Sequence, residues 1–428
     1  MSKKSGYLGR SVSIIGVGYT PMGNTLKSPE IKDFTERELF SMAAFEAMED
    51  AGIESKDIDA FYVGQVAPGR FANLLAGATA MADWVGMRNK PGISHDEACS
   101  TANVGLHLAV MAVASGAYDV VLSGGTNINR SKVELGMPPH MREDFTDMWF
   151  QMNALCNDSA YLYQGNGVLQ PFDAAAVSYA KKYGLSMDKI TEVMNRVAVI
   201  SRRNAVNNPK GLFANETLED EAARMGFSDV NAYLNSEHNP FFGTLQRLKH
   251  TSPASDGASA LIVCPTEMAK QFRKRPIEVI GFAQTTALGN HLVGTPYACE
   301  TDVFNRAYAM SGIKDPYNEV NYMAVHDCSA QHYFTVTEAG GYFHPGEGWQ
   351  AILDNRIAHD GDKPVNTSGG RLNLGHPLSG AIGIEIAEAV AQMRGEAGPR
   401  QMRKQPEVSV VHGYGGGYHI NVSVLRAL

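Results

Sequence analysis

The sequence predicts a layered α/β fold built from two similar halves, and three observations support this prediction. A strand–helix–strand order occurs twice, over segments 11–18, 35–50 and 58–64 and over segments 276–282, 302–310 and 320–326. Both predicted helices end in a small residue followed by glycine and isoleucine, and glycine is typical just after a helix. Hydrophobic residues make up 44% of the chain and charged residues 19%, as in well-buried globular proteins. A repeated β-α-β unit is most simply explained by an internal duplication.

Size and charge restrict the class of protein further. A chain of 428 residues is too long for one ordinary core, so two or three structural units are expected. The net charge of −8 argues against nucleic acid or an anionic membrane as a partner. No apolar run is long enough to span a membrane, the first ten residues lack a signal-peptide core, and residues 426–428 are a poor peroxisomal address. We therefore expect a cytoplasmic protein.

The cysteines are scattered along the chain. They are Cys99, Cys156, Cys264, Cys299 and Cys328, an odd number without paired C-x-x-C spacing. This pattern is typical of free thiols in a reducing compartment, so we expect no disulfide framework and no zinc or other metal site.

An insertion separates the two halves. We assign 1–126 and 250–270 to the N-terminal half, 127–249 to the insertion and 271–428 to the C-terminal half. The insertion is rich in methionine, aromatic and amide residues and is too long for a structureless loop, so it is predicted to be largely helical. A lid over the substrate and a structural or dimer-contact role are both compatible with this pattern.

Cys99 is the candidate nucleophile. It precedes a helix of small residues predicted over 104–115, which leads into a strand over 119–125. A cysteine on such a turn lies near the positive end of the helix, which favours the thiolate. A lone cysteine before an apolar helix is more often structural, so the assignment depends on partners.

The first candidate partner is His376, in the glycine-rich segment 366–380 before an apolar helix predicted over 382–393. A histidine held in such a turn can accept a proton from a thiol or donate a hydrogen bond to a thioester oxygen. The alternative is a histidine that only caps the helix.

The second candidate group is the triplet His326-Asp327-Cys328, at the carboxyl end of the strand predicted over 320–325, where sites open in α/β sheets. Bond formation beside a thioester needs a base for an α-proton, and cleavage needs an acid to return it. A thiol can serve both directions. The alternative for Cys328 is a small buried residue.

The chain ends in a predicted hairpin, with strands over 408–411 and 419–425 and a glycine-rich turn over 412–418. Such a turn can bring a bare backbone N–H up to a developing oxyanion, although glycine in a turn by itself indicates only a turn.

Together these motifs resemble the thiolase superfamily, and more closely its sterol-carrier-protein-x branch. The similarity covers nearly the whole chain. It rests on the segments Cys99-Ser100-Thr101, Ser252-Pro253-Ala254-Ser255-Asp256-Gly257-Ala258, His326-Asp327-Cys328, Gly375-His376-Pro377 and the final glycine-rich hairpin. The resemblance implies a duplicated five-layer αβαβα fold, normally assembled as a homodimer or homotetramer.

The resemblance also implies roles for individual residues. Cys99 would hold the acyl group as a thioester after activation by His376. His376 and a water held by His326 would stabilise the enolate, and Cys328 would be the acid and base at the α-carbon. The backbone N–H groups of Cys99 and Gly415 would form a second oxyanion hole.

Ser252 matches a family position that contacts the pantetheine arm of coenzyme A. Acyl-CoA and coenzyme A would then be substrates, with no permanently bound cofactor. Relatives of this branch often work with a small zinc-ribbon/OB-fold partner protein.

Two positions depart from the usual family pattern. Most thiolases carry a second cysteine where this chain has Gly413, and the sterol-carrier-protein-x branch supplies that thiol from the triplet, here Cys328. Ser379 adds one residue to the stretch after His376, with an effect on the turn that the sequence does not define.

Three functions are compatible with these residues: a degradative thiolase, a synthetic Claisen enzyme or C-acyltransferase of the same fold, and a non-catalytic subunit of a thiolase complex. The presence of Cys99, His326, Cys328 and His376 counts against the third. Aromatic residues at 148–150 and 161–163 would suit a bulky or aromatic acyl group, such as a benzoylsuccinyl-CoA-like thioester.

Overall fold

The computed structural model describes residues 9–66, 76–128, 170–241, 243–272, 274–286, 298–416 and 419–428. Its strands are β1 (Val12–Tyr19), β2 (Ala60–Gly64), β3 (Gly92–His95), β4 (Val121–Asn127), β5 (Gly257–Pro265), β6 (Ile277–Thr286), β7 (Tyr322–Ala324), β8 (Val408–Gly415) and β9 (His419–Ala427). They are hydrogen-bonded in the order β3-β2-β4-β5-β1-β6-β9-β8-β7. The two half-sheets, β1 to β5 and β6 to β9, meet only where β1 pairs with β6 through Ser13–Glu278 and Ile14–Ile277.

Helices cover both half-sheets. The α-helices in the described residues are α1 (Glu36–Ala51), α2 (Gly77–Ala82), α3 (Thr101–Ala114), α4 (Gln170–Lys182), α5 (Met187–Ala205), α6 (Leu218–Arg224), α7 (Val230–Leu234), α8 (Thr266–Ala269), α9 (Ala298–Ser311), α10 (Pro316–Glu319), α11 (His332–Ala339), α12 (Gly348–Leu353), α13 (Gly370–Leu374) and α14 (Ala381–Arg394). Short 3-10 helices lie at Pro29–Ile31, Ser55–Asp57, Ala98–Ser100, Leu248–His250, Leu378–Gly380 and Gly398–Arg400.

Three hydrophobic cores arrange these elements into layers. Phe40 of α1 packs with Phe61 and Leu122 on the outer face of the first half-sheet. Helices α3 and α14 lie between the half-sheets, in a core that also contains residues of β5 and β8. Helices α9 and α11 pack on the outer face of the second half-sheet. The order helix, sheet, helix, sheet, helix confirms the predicted five-layer α/β fold.

The duplication is visible in matching elements. Helices α1 and α9 cover the outer faces of their half-sheets, and each is followed by a glycine with positive φ, Gly52 at 73° and Gly312 at 82°. The strands that follow, β2 and β7, each pair in parallel with a later strand, β4 and β8. The repeat read from the sequence therefore corresponds to a repeat in space.

The described part of the insertion contains four α-helices joined by turns and loops. Helices α4 to α7 lie within 170–234, and Phe172 and Tyr179 of α4 are buried against the second half-sheet. The aromatic runs 148–150 and 161–163 and Cys156 lie outside the described residues. Closure of the insertion over a substrate therefore stays a prediction.

Contrary to the expectation that no run is long enough, one stretch of the described residues, Ala98–Ser115, could cross a membrane by length and composition alone. Of this stretch, 67% is buried inside the structure, as in a core helix. The cysteines that the structure describes, Cys99, Cys264, Cys299 and Cys328, are all free thiols, as expected.

Candidate active site

Cys99 lies in a tight turn between β3 and α3. It is the middle residue of the 3-10 helix Ala98–Ser100, and Ala98 adopts a φ of 49°, which is uncommon for a residue with a side chain. Side chains fix this turn: Thr101 Oγ1 donates to the Ala98 carbonyl at 2.6 Å, and Ser100 Oγ donates to the Glu97 carbonyl at 2.8 Å. The sulfur is thus held at the start of a buried helix. That helix begins at Thr101, three residues before the predicted start.

Tertiary folding brings Cys99 together with two histidines. Cys99 Sγ and ring nitrogens of His326 and His376 all lie within 4.8 Å of one another. The two imidazole rings are 5.2 Å apart at an interplanar angle of 63°. This geometry places two proton acceptors beside one nucleophile. Three such donors could also surround a metal ion, so the expected absence of a metal stays a prediction.

Both histidines are buried, and each has at least one ring nitrogen without a hydrogen-bond partner among the described residues. Among the described residues, neither ring nitrogen of His326 has a partner, nor does Nε2 of His376. Burial, assisted by the Arg371 guanidinium, lowers the pKa of His376 to about 3, and burial and the neighbouring histidines hold the pKa of His326 well below its usual range. Both rings are therefore neutral near pH 7 and able to accept a proton or donate a hydrogen bond.

The pKa of the Cys99 thiol differs from the expectation that a cysteine at a helix start is readily deprotonated. Burial raises its pKa to about 12, an effect that the backbone N–H of Gly416 only partly offsets. Partial removal of the sulfur from water disfavours the charged thiolate, and the nearby Asp96 carboxylate acts in the same direction. Cys99 is consequently a neutral thiol at rest and needs a base.

Cys328 lies close to this group. Charge repulsion between Cys328 and Cys99 contributes, after burial, to raising the pKa of Cys328 well above its usual range. The carbonyl of Cys328 accepts the backbone N–H of Ser252 at 3.0 Å. The structure therefore places the backbone of Ser252, the position expected to contact coenzyme A, beside the backbone of Cys328.

The segment after Ser252 also holds His376. Its backbone N–H donates to the Pro253 carbonyl at 3.1 Å, and the N–H of Ser255 donates to the His376 carbonyl at 3.2 Å. This short parallel pairing links the two halves at the site.

Asp327 is a residue whose part in the site the sequence did not reveal. Its carboxylate accepts the backbone N–H groups of Arg371 and Leu372 at 2.6 and 3.5 Å, at the start of α13. The Arg371 guanidinium is paired with the fully buried Glu385 at 2.6 Å and donates to the Gly375 carbonyl at 2.8 Å. Asp327 and Arg371 thus hold the turn that presents His376.

The final hairpin differs from its predicted extent. Residues 412–415, predicted as part of the turn, belong to β8 and pair with 419–422 of β9. Glycine is required within the strand because a Cβ at Gly415 would lie 2.4 Å from the Glu97 carbonyl and one at Gly413 would lie 2.1 Å from Asn421 Oδ1. Gly415 packs directly against the nucleophile turn, and Gly416 directs its N–H to the sulfur. The repeated glycines in the sequence indicated that a backbone N–H of this segment could approach the reacting group. They did not identify Gly416 as the residue whose N–H points to the Cys99 sulfur.

The additional residue Ser379 links the two halves. Leu378 adopts a φ of 38°, and Ser379 Oγ donates to the Thr126 carbonyl at 2.7 Å and lies 2.9 Å from Asn127 Oδ1, at the end of β4. The turn after His376 is therefore anchored to the first half-sheet.

Two family models cover most of the chain. The model for the thiolase N-terminal domain matches residues 12–267, and the model for the thiolase C-terminal domain-like family matches residues 298–426.

Curated relatives are similar over nearly the full chain. The acetyl-CoA acetyltransferase of Methanothermobacter thermautotrophicus is 31% identical over 95% of this chain and 97% of its own length. The benzoylsuccinyl-CoA thiolase subunit BbsB of Thauera aromatica is 28% identical over 96% of both chains. Human sterol carrier protein 2 is 26% identical over 97% of this chain and 72% of its own length.

Solved structures share the fold. The Ltp2-ChsH2(DUF35) aldolase has a TM-score of 0.76 at 22% identity, and the match covers 98% of both chains. Human mitochondrial 3-ketoacyl-CoA thiolase in complex with CoA has a TM-score of 0.67 at 16% identity, over 98% of this chain and 99% of that one. With the family models and the archaeal relative, this shows that the chain belongs to the thiolase family of acyltransferases.

Proposed function

We propose that this enzyme cleaves a 3-oxoacyl-CoA with coenzyme A, or runs the reverse Claisen condensation, through an acyl group held on Cys99. The observation that carries the proposal is the approach of Cys99 Sγ, His326 and His376 within 4.8 Å. In the thiolysis direction, His376 accepts the thiol proton and the sulfur attacks the 3-oxo carbonyl. The bond between the second and third acyl carbons then breaks, and its electron pair passes to the thioester as an enolate.

Cys328 returns a proton to the α-carbon of this enolate, which gives acetyl-CoA or a larger acyl-CoA as the first product. His376, which now carries the thiol proton, and a water on His326 donate hydrogen bonds to the thioester oxygen during this step, and the burial of both rings strengthens these bonds. The Cys328 thiolate then takes the proton of the coenzyme A thiol, whose sulfur attacks the Cys99 thioester. The Cys99 sulfur leaves and regains its proton from His376, which releases the shortened acyl-CoA. The N–H groups of Cys99 and Gly415 would hold the oxyanion, and the orientation of Gly416 towards the sulfur adds a third candidate donor.

Coenzyme A is the proposed co-substrate, with Ser252 as a contact for its pantetheine arm. The backbone hydrogen bond between Ser252 and Cys328 supports this placement, because a pantetheine thiol has to arrive beside the reacting groups. The human 3-ketoacyl-CoA thiolase of the same fold has been solved in complex with CoA, which is consistent with this choice.

A homo-oligomer, a dimer or a tetramer, is proposed to form through strand β3. This strand is an edge of the sheet, and Ile93 on it is 49% exposed, so a second copy could pair with this edge.

A small zinc-ribbon/OB-fold protein is proposed as a second partner. The names of two similar proteins support it, since the aldolase is described as Ltp2-ChsH2(DUF35) and BbsB as a thiolase subunit.

The substrate proposed is a bulky or aromatic 3-oxoacyl-CoA, of which a benzoylsuccinyl-CoA-like thioester is one form. The similarity to BbsB, at 28% identity, supports this choice, while the similarity to the acetyl-CoA acetyltransferase, at 31%, supports acetyl-CoA as one of the two thioesters. The synthetic direction uses the same residues, so a condensing enzyme remains the second candidate.

Turnover and covalent acylation test this function. The purified chain, with and without a candidate partner, is mixed with acetoacetyl-CoA and bulkier 3-oxoacyl-CoAs, and the loss of the 3-oxo thioester is followed. We expect turnover and an acyl mass shift on Cys99, both lost in Cys99→Ala and both kept in the matched control Cys264→Ala, whose thiol is buried in a separate core. Absence of turnover and of acylation in the unmodified protein would refute the proposal.

A further inference from the structure

Ser100, the residue after the candidate nucleophile, is tied to the final hairpin by two hydrogen bonds. His419, the first residue of β9, places its ring Nδ1 3.0 Å from Ser100 Oγ, and Asn421 Nδ2 donates to the Ser100 carbonyl at 3.3 Å. All three residues are buried. These bonds join the nucleophile turn to residues 319 and 321 positions further along the chain.

The direction of the bond between His419 and Ser100 is defined by a neighbouring group. The Ser100 hydroxyl donates its single proton to the Glu97 carbonyl at 2.8 Å, so His419 Nδ1 has to carry a proton and donate it to Ser100 Oγ. Burial lowers the pKa of His419 to about 4, so this ring is neutral near pH 7. His419 is therefore a neutral donor held in one tautomer.

Ser100 lies where the nucleophile turn meets the strand that carries Gly415. A Cβ added to Gly415 would lie 2.7 Å from Ser100 Oγ, so the hydroxyl packs directly against the backbone of this glycine. Gly415 is also the residue of β8 that pairs with His419. The N–H groups proposed to hold the oxyanion, those of Cys99 and Gly415, thus belong to the two segments that the Ser100–His419 bond joins.

The other half of the molecule contains a matching turn. In each half a three-residue 3-10 helix, Ala98–Ser100 or Leu378–Gly380, begins with a positive φ and leads into a helix of 14 residues, α3 or α14. The carbonyl of the last turn residue accepts a side-chain donor from the third residue of a strand. This donor is Asn421 of β9 for the first turn and Ser259 of β5, at 2.8 Å, for the second. Both halves therefore use the same bond to the carbonyl.

The Ser100–His419 pair has no counterpart at the second turn. Gly380 occupies the position of Ser100 there, and Gly257, the first residue of β5, occupies the position of His419. Neither glycine has a side chain to form such a bond. The fold is thus built once without this pair, and the pair is present in the half whose turn carries Cys99. This difference indicates a role in the reaction and not in folding alone.

We propose that His419 is a positioning residue, which acts through Ser100 to hold the N–H groups of Cys99 and Gly415 at the spacing that an oxyanion requires. The inference rests on the proposed function, because it assumes that acyl transfer at Cys99 places an oxyanion between these groups. Stabilisation of this kind depends on donors that are fixed before the reaction. A displacement of about 1 Å can cost on the order of 100-fold in rate.

His107 provides a matched control for His419. It is also buried and neutral near pH 7, because burial lowers its pKa to about 3, and its Nε2 lies 2.9 Å from Ser423 Oγ of β9. It lies seven residues, about two helical turns, beyond Ser100. The variants compared are His419→Leu, which removes the donor, His419→Asn, whose Nδ2 is bonded to Cγ as Nδ1 is in histidine, and His107→Leu.

Two reactions of Cys99 are compared in each variant. The full chain, with its partner if turnover requires one, is treated with acetyl-CoA or with iodoacetamide, and modification of Cys99 is followed by mass spectrometry. Acetyl transfer passes through a tetrahedral oxyanion, whereas alkylation displaces iodide and forms none. We expect His419→Leu to slow acetylation by about 10- to 100-fold and to leave alkylation nearly unchanged. His419→Asn should restore most of the acetylation rate, and His107→Leu should alter neither rate.

A merely structural role predicts a different pattern. The proposal is overturned by an unchanged acetylation rate in His419→Leu, by an equal loss of alkylation, by an equal loss in His107→Leu, or by His419→Asn that behaves like His419→Leu. Ser100→Ala removes the acceptor and carries the same test if His419→Leu does not fold. The double variant should be no slower than the slower single variant, because His419 acts through Ser100.

Failure of the proposed function has its own signature. In that case the unmodified protein neither turns over a 3-oxoacyl-CoA nor takes an acetyl group from acetyl-CoA. The comparison is then made with 4-nitrophenyl acetate, an activated ester that needs no coenzyme A site. Slower acetylation of Cys99 by this ester in His419→Leu, with unchanged alkylation, supports the positioning role. Equal acetylation rates, or no acetylation of the unmodified protein by the ester, refute it.

Discussion

Asp327 Oδ1 accepts the backbone N–H of Arg371 at 2.6 Å, and this bond joins the His-Asp-Cys triplet to the turn that carries His376. Both residues are fully buried. The middle residue of the triplet thus orients the histidine of a distant motif, and the flanking residues His326 and Cys328 lie at the proposed reaction centre.

Replacement of Asp327 tests this coupling. We expect Asp327→Asn to lower kcat by at least about 10-fold, since a displaced base loses its alignment with the sulfur. The free energy of unfolding should fall by about 1–3 kcal/mol, because the buried N–H groups of α13 lose a charged acceptor. Steady-state kinetics and urea unfolding measure both effects. Asp188→Asn, at an exposed position on α5, serves as the control. Unchanged kcat in the Asp327 variant would contradict an orienting role.

Replacement of Cys328 separates two half-reactions. Cys328→Ala is expected to accept an acetyl group from acetyl-CoA on Cys99, because this transfer needs only the nucleophile and His376. Cleavage and condensation of 3-oxoacyl-CoAs should fall by about 100-fold or more, since proton transfer at the α-carbon has lost its acid and base. Mass spectrometry of the acyl-enzyme and a coupled assay distinguish the steps. Normal condensation by Cys328→Ala would refute the acid/base assignment and leave Cys99 unaffected.

Ser379 provides a test of the contact between the halves. Ser379→Ala removes the hydrogen bond from the hydroxyl to the Thr126 carbonyl, so the free energy of unfolding should fall by about 1–2 kcal/mol. The loosened turn after His376 should also reduce kcat several-fold while KM changes little. Ser115→Ala, at an exposed helix end, is the matched control. Full activity and full stability in Ser379→Ala would show that the additional residue is tolerated rather than used.

Acid should destabilise this protein strongly. Burial lowers the pKa to about 3 for His107, His250, His332, His376 and His412 and to about 4 for His95 and His419, from 6.5. Below about pH 6.5 these histidines bind protons in the unfolded chain but not in the folded chain. The free energy of unfolding therefore falls as the pH decreases towards the pKa values of the folded state. Each such histidine contributes about 1.4 kcal/mol per pH unit in this window.

Glu300 acts in the opposite direction, because its raised pKa makes the folded state bind the extra proton between 4.5 and about 8. Glu385, whose pKa burial raises to about 7, acts in the same direction, as do Asp327 and Glu338, whose pKa values burial also raises. The histidines with lowered pKa values outnumber these carboxyl groups. Urea unfolding at about pH 7 and about pH 5 measures the balance. A free energy of unfolding that is equal or higher at the lower pH would contradict the burial of neutral histidines.

The sequence by itself predicted the elements of the fold and the place of the candidate nucleophile at a helix start. The duplicated strands and helices, and the glycines that end α1 and α9, follow from hydrophobic patterns and backbone preferences that act over a few residues. The place of Cys99 at a helix start is a local property of the same kind. These features need no knowledge of distant contacts.

Only the tertiary structure decided which groups meet and in which protonation state. The approach of Cys99 to His326 and His376 joins three separate motifs, and the bond from Asp327 to Arg371 has no counterpart in sequence spacing. Burial reversed the expectation for the Cys99 thiol, because exclusion of water is a sum over residues far apart in the chain. The position of the Gly416 N–H next to the Cys99 sulfur likewise depends on the pairing of β8 with β9, which extends to Gly415 and His419.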